Sequence, residues 1–206
     1  SIAELLQIVG KNETDLSVLL PLKMTYGEIK GSSRLRNAIA ALYENQSDSN
    51  VLVTHGTIGA NMLVHKTLVE RGDHVISIVP TYQQHYSIPK SIGANIDFLQ
   101  LREEMGWLPD LDELQTLAVP GTKLIALTNP NNPTGALMSR EMLEEIAAIA
   151  RPIGAWVLCD EVYRGTDQHG LGMTASMADI YEKGISTAGM SKAYSLAGLR
   201  LGWITA

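Results

Sequence analysis

The sequence predicts an α/β fold: a three-layer α/β/α domain built on a seven-stranded, mostly parallel sheet whose last strand is antiparallel. Three observations lead there. Short, β-rich apolar runs alternate with amphipathic helical stretches from residue 32 to the end of the chain. Such alternation implies right-handed βαβ units and a sheet covered on both faces. The last run follows its predecessor after only residues 189–198, a short stretch bearing Gly and Ser. That leaves little room for a crossover helix and makes the final strand antiparallel.

The strand runs, in order, cover residues 51–54, 74–79, 94–99, 123–128, 155–159, 185–188 and 199–204. Three helices have readable ends. Ser32 or Ser33 caps a helix whose apolar face is Leu35, Ile39, Leu42 and Tyr43. A second helix over residues 57–71 carries Met62, Leu63, Val64, Leu68 and Val69, with Gly72 placed as its C′ residue. A third, over 139–151, starts at Ser139 and carries Met142, Leu143, Ile146, Ala147 and Ala150. Pro152 pushes Arg151 out of helical geometry and is expected to stop it.

Composition narrows the classes of function. The 206 residues are 45% apolar and 18% charged, ordinary for a globular chain with room for a sizeable core. A net charge of −6 gives no electrostatic footprint for nucleic acid or an anionic membrane. Cys159 is the only cysteine, so an intramolecular disulfide and a Cys-rich zinc site are excluded. No apolar run approaches the roughly 20 residues of a membrane span. Glu4 stands where a secretory signal would be basic, so the expected compartment is the cytoplasm. The chain lacks an initiator Met, and its start reads as processed or truncated.

In open α/β sheets, ligands bind outside the carboxyl ends of the strands, so chemistry is sought just after each run. After the first comes His55-Gly56-Thr57-Ile58-Gly59-Ala60, opening a helix whose free N–H groups and dipole suit an anion. It is neither Gly-x-Gly-x-x-Gly nor a Walker loop. After the second comes Pro80-Thr81-Tyr82, where Tyr82 can stack on a flat ring or simply pack in a turn. After the fourth comes Asn129-Pro130-Asn131-Asn132-Pro133-Thr134-Gly135, two Asn-Pro steps and a Gly that force an irregular loop; it is the strongest short motif of the chain. The fifth run ends in Asp160-Glu161-Val162-Tyr163-Arg164, delivering a carboxylate at the sheet edge. The sixth leads into Gly189-Met190-Ser191-Lys192, and Arg200 follows within Gly198-Leu199-Arg200-Leu201-Gly202-Trp203.

Asn-Pro-x-Asn-Pro-Thr-Gly, Asp-Glu-x-Tyr, Ser-Lys and Gly-Leu-Arg-x-Gly-Trp, in this order and at these separations, resemble the class I/II aminotransferases, fold type I enzymes of pyridoxal 5′-phosphate (PLP). The resemblance runs from about Tyr26 to the end of the chain. It implies transamination between an amino acid and a 2-oxo acid, with Lys192, Asp160 and Tyr82 as the candidate catalytic residues. Lys192 matches the lysine that carries the cofactor as an aldimine and later moves the substrate α-proton, tasks that need a neutral amine part of the time. Asp160 matches the carboxylate that keeps the pyridine nitrogen protonated, making the ring an electron sink. Asn132 and Tyr163 match the donors to the phenolic oxygen, and Tyr82 the residue stacked on the ring. Arg200 matches the phosphate-binding arginine, whose planar fork suits that partner. Thr57 and Ile58 match positions that meet the phosphate at the helix start. Tyr26 resembles the tyrosine that reaches the neighbouring subunit's phosphate, which implies a homodimer.

Two departures stand out. Many relatives carry Ser or Thr three residues before the lysine, where this chain has Gly189; Ser191, Thr187 or Ser186 would then supply the missing contact. Members of the family run roughly twice this length and continue into a smaller C-terminal domain that supplies an arginine for the substrate carboxylate. Residues 1–30 therefore read as an N-terminal arm and 31–206 as the large PLP-binding domain, the small domain being absent and the chain a fragment or truncation. Other fold type I chemistry (β-elimination, decarboxylation, cyclisation) and a non-catalytic PLP-binding domain of a regulator are the alternatives, since fold and cofactor do not fix reaction type. His55, His65, His74, His85 and His169 show neither metal spacing nor a carboxylate partner pattern, so no metal is expected. Cys159 is expected to be a small buried core residue.

Overall fold

The computed structural model describes residues 1–19, 21–166 and 172–206. Its centre is a single sheet of β1 (Val51–His55), β2 (His74–Val79), β3 (Asn95–Gln100), β4 (Thr122–Thr128), β5 (Trp156–Asp160), β6 (Gly184–Gly189) and β7 (Leu201–Thr205). The order across the sheet is β1-β7-β6-β5-β4-β2-β3. Only β7 runs against its neighbours, pairing antiparallel with both β1 and β6. All seven expected strands form, within two residues of the expected ends, and the reversed last strand is among them.

Around the sheet lie α1 (Ile2–Ile8), α2 (Ser33–Ala40), α3 (Gly56–Leu68), α4 (Gln84–Ile92), α5 (Leu111–Leu117), α6 (Arg140–Ile153) and the single turn α7 (Met177–Ile180). Strand residues alternate between two cores. Val75, Leu124, Leu158 and Ile185 face the cluster that includes Val64 of α3. Their neighbours Ile76, Ile125, Val157 and Cys159 face Leu114 of α5, Leu143 and Ile146 of α6, and Met177 of α7. Period two along a strand and helices on both sides make the three layers. A third cluster joins Ile39 and Ala40 of α2 to Tyr43, Val51, Ala188 and Trp203. Cys159 is fully buried, as expected, and burial pushes its thiol well above its usual range. No residue of α1 is buried.

Helix ends need three corrections. α2 begins as expected, with the Ser32 hydroxyl accepting from the Leu35 amide at 3.3 Å, but it stops at Ala40, so Leu42 and Tyr43 pack from beyond it. α3 ends at Leu68 and the chain is already extended at Val69, so Gly72 (φ +89°) serves the turn into β2 and not the helix cap. α6 runs past Arg151 to Ile153 with Pro152 inside its last turn. There the helix is terminated by left-handed Gly154, and the Ala155 and Gly154 amides close onto the Ala150 and Arg151 carbonyls. The C-cap, not the proline, sets that end.

α3 departs furthest from its apolar periodicity. Met62 and Leu63, which that periodicity places on the buried face, are 43% and 42% exposed. The buried stripe is Thr57, Ala60, Asn61, Val64 and His65, at helical spacing but with three of its five side chains polar.

Candidate active site

Thr128, Asp160 and Thr187 sit side by side at the carboxyl ends of β4, β5 and β6, all on the face toward α3. β7 enters the sheet from the same edge, so Arg200, just before its start, arrives beside the ends of the parallel strands. Above this row opens a cavity of about 290 Å³. Its walls include Thr57, Ile58, Tyr82, Asn132, Asp160, Tyr163, Ser191, Lys192 and Arg200. Nine of the ten candidates thus converge; the tenth, Tyr26, is fully exposed and away from the cavity.

One end of the cavity suits an anion. The start of α3 carries no side-chain cap, so its first N–H groups are unpartnered. The Thr57 hydroxyl is buried and has no hydrogen-bond partner among the described residues. The Arg200 guanidinium lies over Gly56, where a Cβ would come within 2.7 Å of its Nη2. Arg200 takes a left-handed backbone (φ +50°) and is held by a bond from Nη1 to the Ala197 carbonyl at 2.9 Å, with the Ser191 hydroxyl at 3.5 Å. An uncapped helix start, an orphaned hydroxyl and a guanidinium together could hold an anionic group such as a phosphate.

Two facing glycines seat this end. Gly189 of β6 pairs with Gly202 of β7. A Cβ on Gly202 would lie 2.2 Å from the Gly56 carbonyl carbon, and one on Gly189 would lie 2.5 Å from the Thr57 hydroxyl. The departure at Gly189 therefore has a physical reason: the Thr57 side chain fills the space a serine there would need. Of the three hydroxyls weighed as substitutes, Ser191 borders the cavity. Thr187 donates to Asn61 Oδ1 at 2.6 Å, and Ser186 bonds the Tyr43 hydroxyl at 3.1 Å on the opposite sheet face.

The other end is a buried carboxylate. Asp160 is 2% exposed. Its Oδ1 accepts from the Val162 amide at 3.1 Å and its Oδ2 from Asn61 Nδ2 at 2.7 Å. His85 Nε2 stands 3.5 Å from the same Oδ2. Neither Asn61 nor His85 was singled out from the sequence as a site residue. His85 thus stands near a carboxylate without a hydrogen bond to it among the described residues, whereas His74 Nε2 bonds Asp97 Oδ2 at 3.0 Å. His65 is buried beside His85, ring centroids 5.9 Å apart, and burial first and then that neighbour push its pKa down to about 3. His169 lies outside the described residues. Among the described residues no cluster of His, Cys, Asp and Glu is placed to hold a metal.

The loop after β4 divides its asparagines. Asn129 locks the loop, its amide bonding the Met138 carbonyl at 3.2 Å and its oxygen the Met138 amide at 2.9 Å. Asn131 Nδ2 bonds the Thr134 hydroxyl at 2.8 Å. Asn132 alone is left to face the cavity. Glu161 turns to the other sheet face, where its Oε1 accepts from the Ser176 hydroxyl and the Met177 amide, each at 2.9 Å. Burial pushes its pKa up to about 7 against the pull of Arg164. The Lys192 ammonium sits 5.9 Å from the centroid of the Tyr163 ring.

A seven-stranded sheet with this strand order, carrying a lysine, a buried aspartate and an arginine-backed anion pocket on one edge, defines a fold type I domain. The Aminotransferase class I and II family matches residues 21–206, and the chain belongs to it. It is 30% identical over 195 residues to glutamate-pyruvate aminotransferase AlaA of Haemophilus influenzae, covering 90% of this chain and 47% of that one. A crystal structure of a PLP-dependent aminotransferase from Streptococcus suis superposes with a TM-score of 0.95 at 46% identity, over 100% of this chain and 55% of that one. Alanine aminotransferase of Pyrococcus furiosus superposes at 0.78 with 31% identity, over 88% and 47%. The chain spans about half the length of the curated relatives it matches.

Proposed function

We propose that residues 31–206 form the cofactor-binding domain of an aminotransferase that moves an amino group between an amino acid and a 2-oxo acid. The observation that carries this reading is the pairing, in one cavity, of an anion pocket (Thr57, the start of α3, Arg200) with a buried carboxylate (Asp160) and a lysine on its wall. When bound, PLP supplies a carbonyl for an amine and a conjugated pyridinium that takes up the electron pair left at the substrate Cα. Arg200, Thr57, Ser191 and the α3 amides bind the phosphate. Asp160 holds the proton on the ring nitrogen. Asn132 and Tyr163 would supply hydrogen-bond donors to the phenolic oxygen, Tyr82 would stack on the ring, and Ile58 would border the phosphate. Lys192 Nζ would hold the cofactor and would be the group that moves the proton at the substrate Cα.

Residues 1–30 are read as an arm. A homodimer in which the fully exposed Tyr26 reaches the partner's phosphate pocket gives that residue a role. No described helix is long and apolar enough to cross a membrane. The net charge of −6 supports action on small molecules rather than on nucleic acid or an anionic membrane, and the cytoplasm is the compartment we propose. The relatives' names, with glutamate and pyruvate among them, favour an amino-acid and 2-oxo-acid pair. The test is PLP addition followed by borohydride and peptide mapping. A visible band that Lys192→Ala abolishes, with the reduced adduct on Lys192, is the expected result. An adduct on Lys66, Lys123 or Lys183 overturns the assignment. The 206-residue chain alone is expected to bind cofactor with little or no turnover; in a chain extended through the small domain, loss of the visible band on adding L-glutamate, restored by pyruvate, supports transamination, and release of pyruvate from a β-substituted amino acid instead would favour lyase chemistry.

A further inference from the structure

Asp160 has no Lys or Arg partner among the described residues; its one contact to an ionisable base is His85. A carboxylate this buried keeps its charge only if hydrogen bonds replace its water. We infer that Asn61 is a positioning residue that fixes the orientation of the Asp160 carboxylate for the ring nitrogen, an inference that rests on the role proposed above for Asp160.

Asn61 is fully buried on the α3 face that meets the cavity. The two ends of its amide are distinguished by their partners. A carboxylate only accepts, so the end 2.7 Å from Asp160 Oδ2 is the donating Nδ2. The Thr187 hydroxyl, 2.6 Å from Oδ1, must then donate. Hydrogen bonds thus run one way, from Thr187 through Asn61 to Asp160. A flipped amide would set Oδ1 against the carboxylate, two acceptors face to face, so Asp160 itself rules out the flip, and the Thr187 hydroxyl anchors Oδ1 in the orientation that remains. Val162 N–H occupies the other oxygen, so the carboxylate is fixed from both sides. Because the amide is neutral, it steadies the charge without cancelling it, and the full negative charge stays available to a pyridinium N–H. A Lys or Arg at this position would pair with Asp160 and compete with the ring.

The test measures PLP affinity of the 206-residue chain by absorbance from about pH 6 to about pH 9, with inorganic phosphate as a separate probe of the Thr57–Arg200 end. In Asn61→Asp, the new carboxyl donates its proton to Asp160 at the acid end of the range and repels it once ionised. PLP affinity relative to wild type should therefore fall about 10- to 100-fold as pH rises, while phosphate affinity stays within about twofold. Asn61→Ala should lose about tenfold at every pH. Thr187→Val should lose a few-fold, but nothing further when Asn61 is already Ala, because the two act in series. A role in packing alone makes the opposite pattern: the near-isosteric Asp is the mildest change, its loss does not vary with pH, and phosphate affinity falls in step. That result overturns the inference. If Asn61→Asp does not fold, the Ala and Val cycle decides, with full additivity as the overturning result. A wild-type chain that binds phosphate but not PLP would instead overturn the proposed function beneath it.

Discussion

Replacing Gly202 by Ala strikes the phosphate end of the cavity from behind. The added Cβ would stand 2.2 Å from the Gly56 carbonyl carbon, 2.5 Å from the Thr57 nitrogen and 2.6 Å from the Gly56 oxygen. All three are backbone atoms, so no side chain can swing aside. Opening the gap from 2.2 Å to an ordinary 3.4 Å contact needs a displacement of about 1.2 Å, taken either by the start of α3 or by β7. β7 is paired on both edges, so the helix start is the part that moves. Overpacking of this kind costs about 1–3 kcal/mol, which for a chain of this size lowers the melting temperature by about 2–12 °C. The larger effect is on binding. Thr57 and the first amides of α3 move off the phosphate, and loss of one charge-assisted bond weakens PLP by about 10- to 100-fold. Gly198→Ala is the control, since its Cβ meets nothing within 4 Å. Differential scanning fluorimetry and absorbance titration with PLP read both effects. A Gly202→Ala protein that melts and binds PLP like Gly198→Ala would refute the account of the glycine notch.

Glu161 should make the fold less stable as pH rises. Its folded pKa of about 7 lies above the ordinary 4.5, so the neutral form is favoured in the fold. The contribution, about 3 kcal/mol, is complete below pH 4.5 and lost as pH passes about 7. Urea midpoints at acid and alkaline pH should diverge between wild type and Glu161→Gln, which keeps an acceptor for Ser176 and Met177; parallel pH curves would count against it. Cys159, buried with its thiol pushed up, should not react with a disulfide reagent until the chain is unfolded. Stoichiometric labelling of the native protein within minutes would contradict its placement.

The architecture was legible because its strands are short apolar runs divided by helices, and because a ten-residue connection cannot hold a crossover. Most of the candidate cavity's lining was legible for a related reason: its residues lie just past strand ends, where motif and position coincide. What escaped lies inside helices. Asn61 and His85 hide on the buried sides of α3 and α4, and apolar counting favoured Met62 and Leu63 instead. The signal was present in the spacing of Thr57, Ala60, Asn61, Val64 and His65, a helical stripe of small and polar residues that only a polar neighbour at the strand ends explains. Gly72 and Pro152 misled for a different reason. Cap residues are judged by their backbone angles, and Gly154, two residues beyond Pro152, supplies the left-handed turn that ends α6.

The reversed direction of β7 has a mechanical consequence. Lys192 leaves the end of β6 and Arg200 precedes the start of β7, and these strands are hydrogen-bonded neighbours. A single short loop, anchored at both feet in the sheet, therefore sets the span between the amine and the guanidinium. It works as a calliper. Residues added to or removed from the loop would change the size of molecule it can grip, even if every side chain in the cavity were kept. Along a parallel connection the same two groups would be separated by a whole helix, and that measure would be lost.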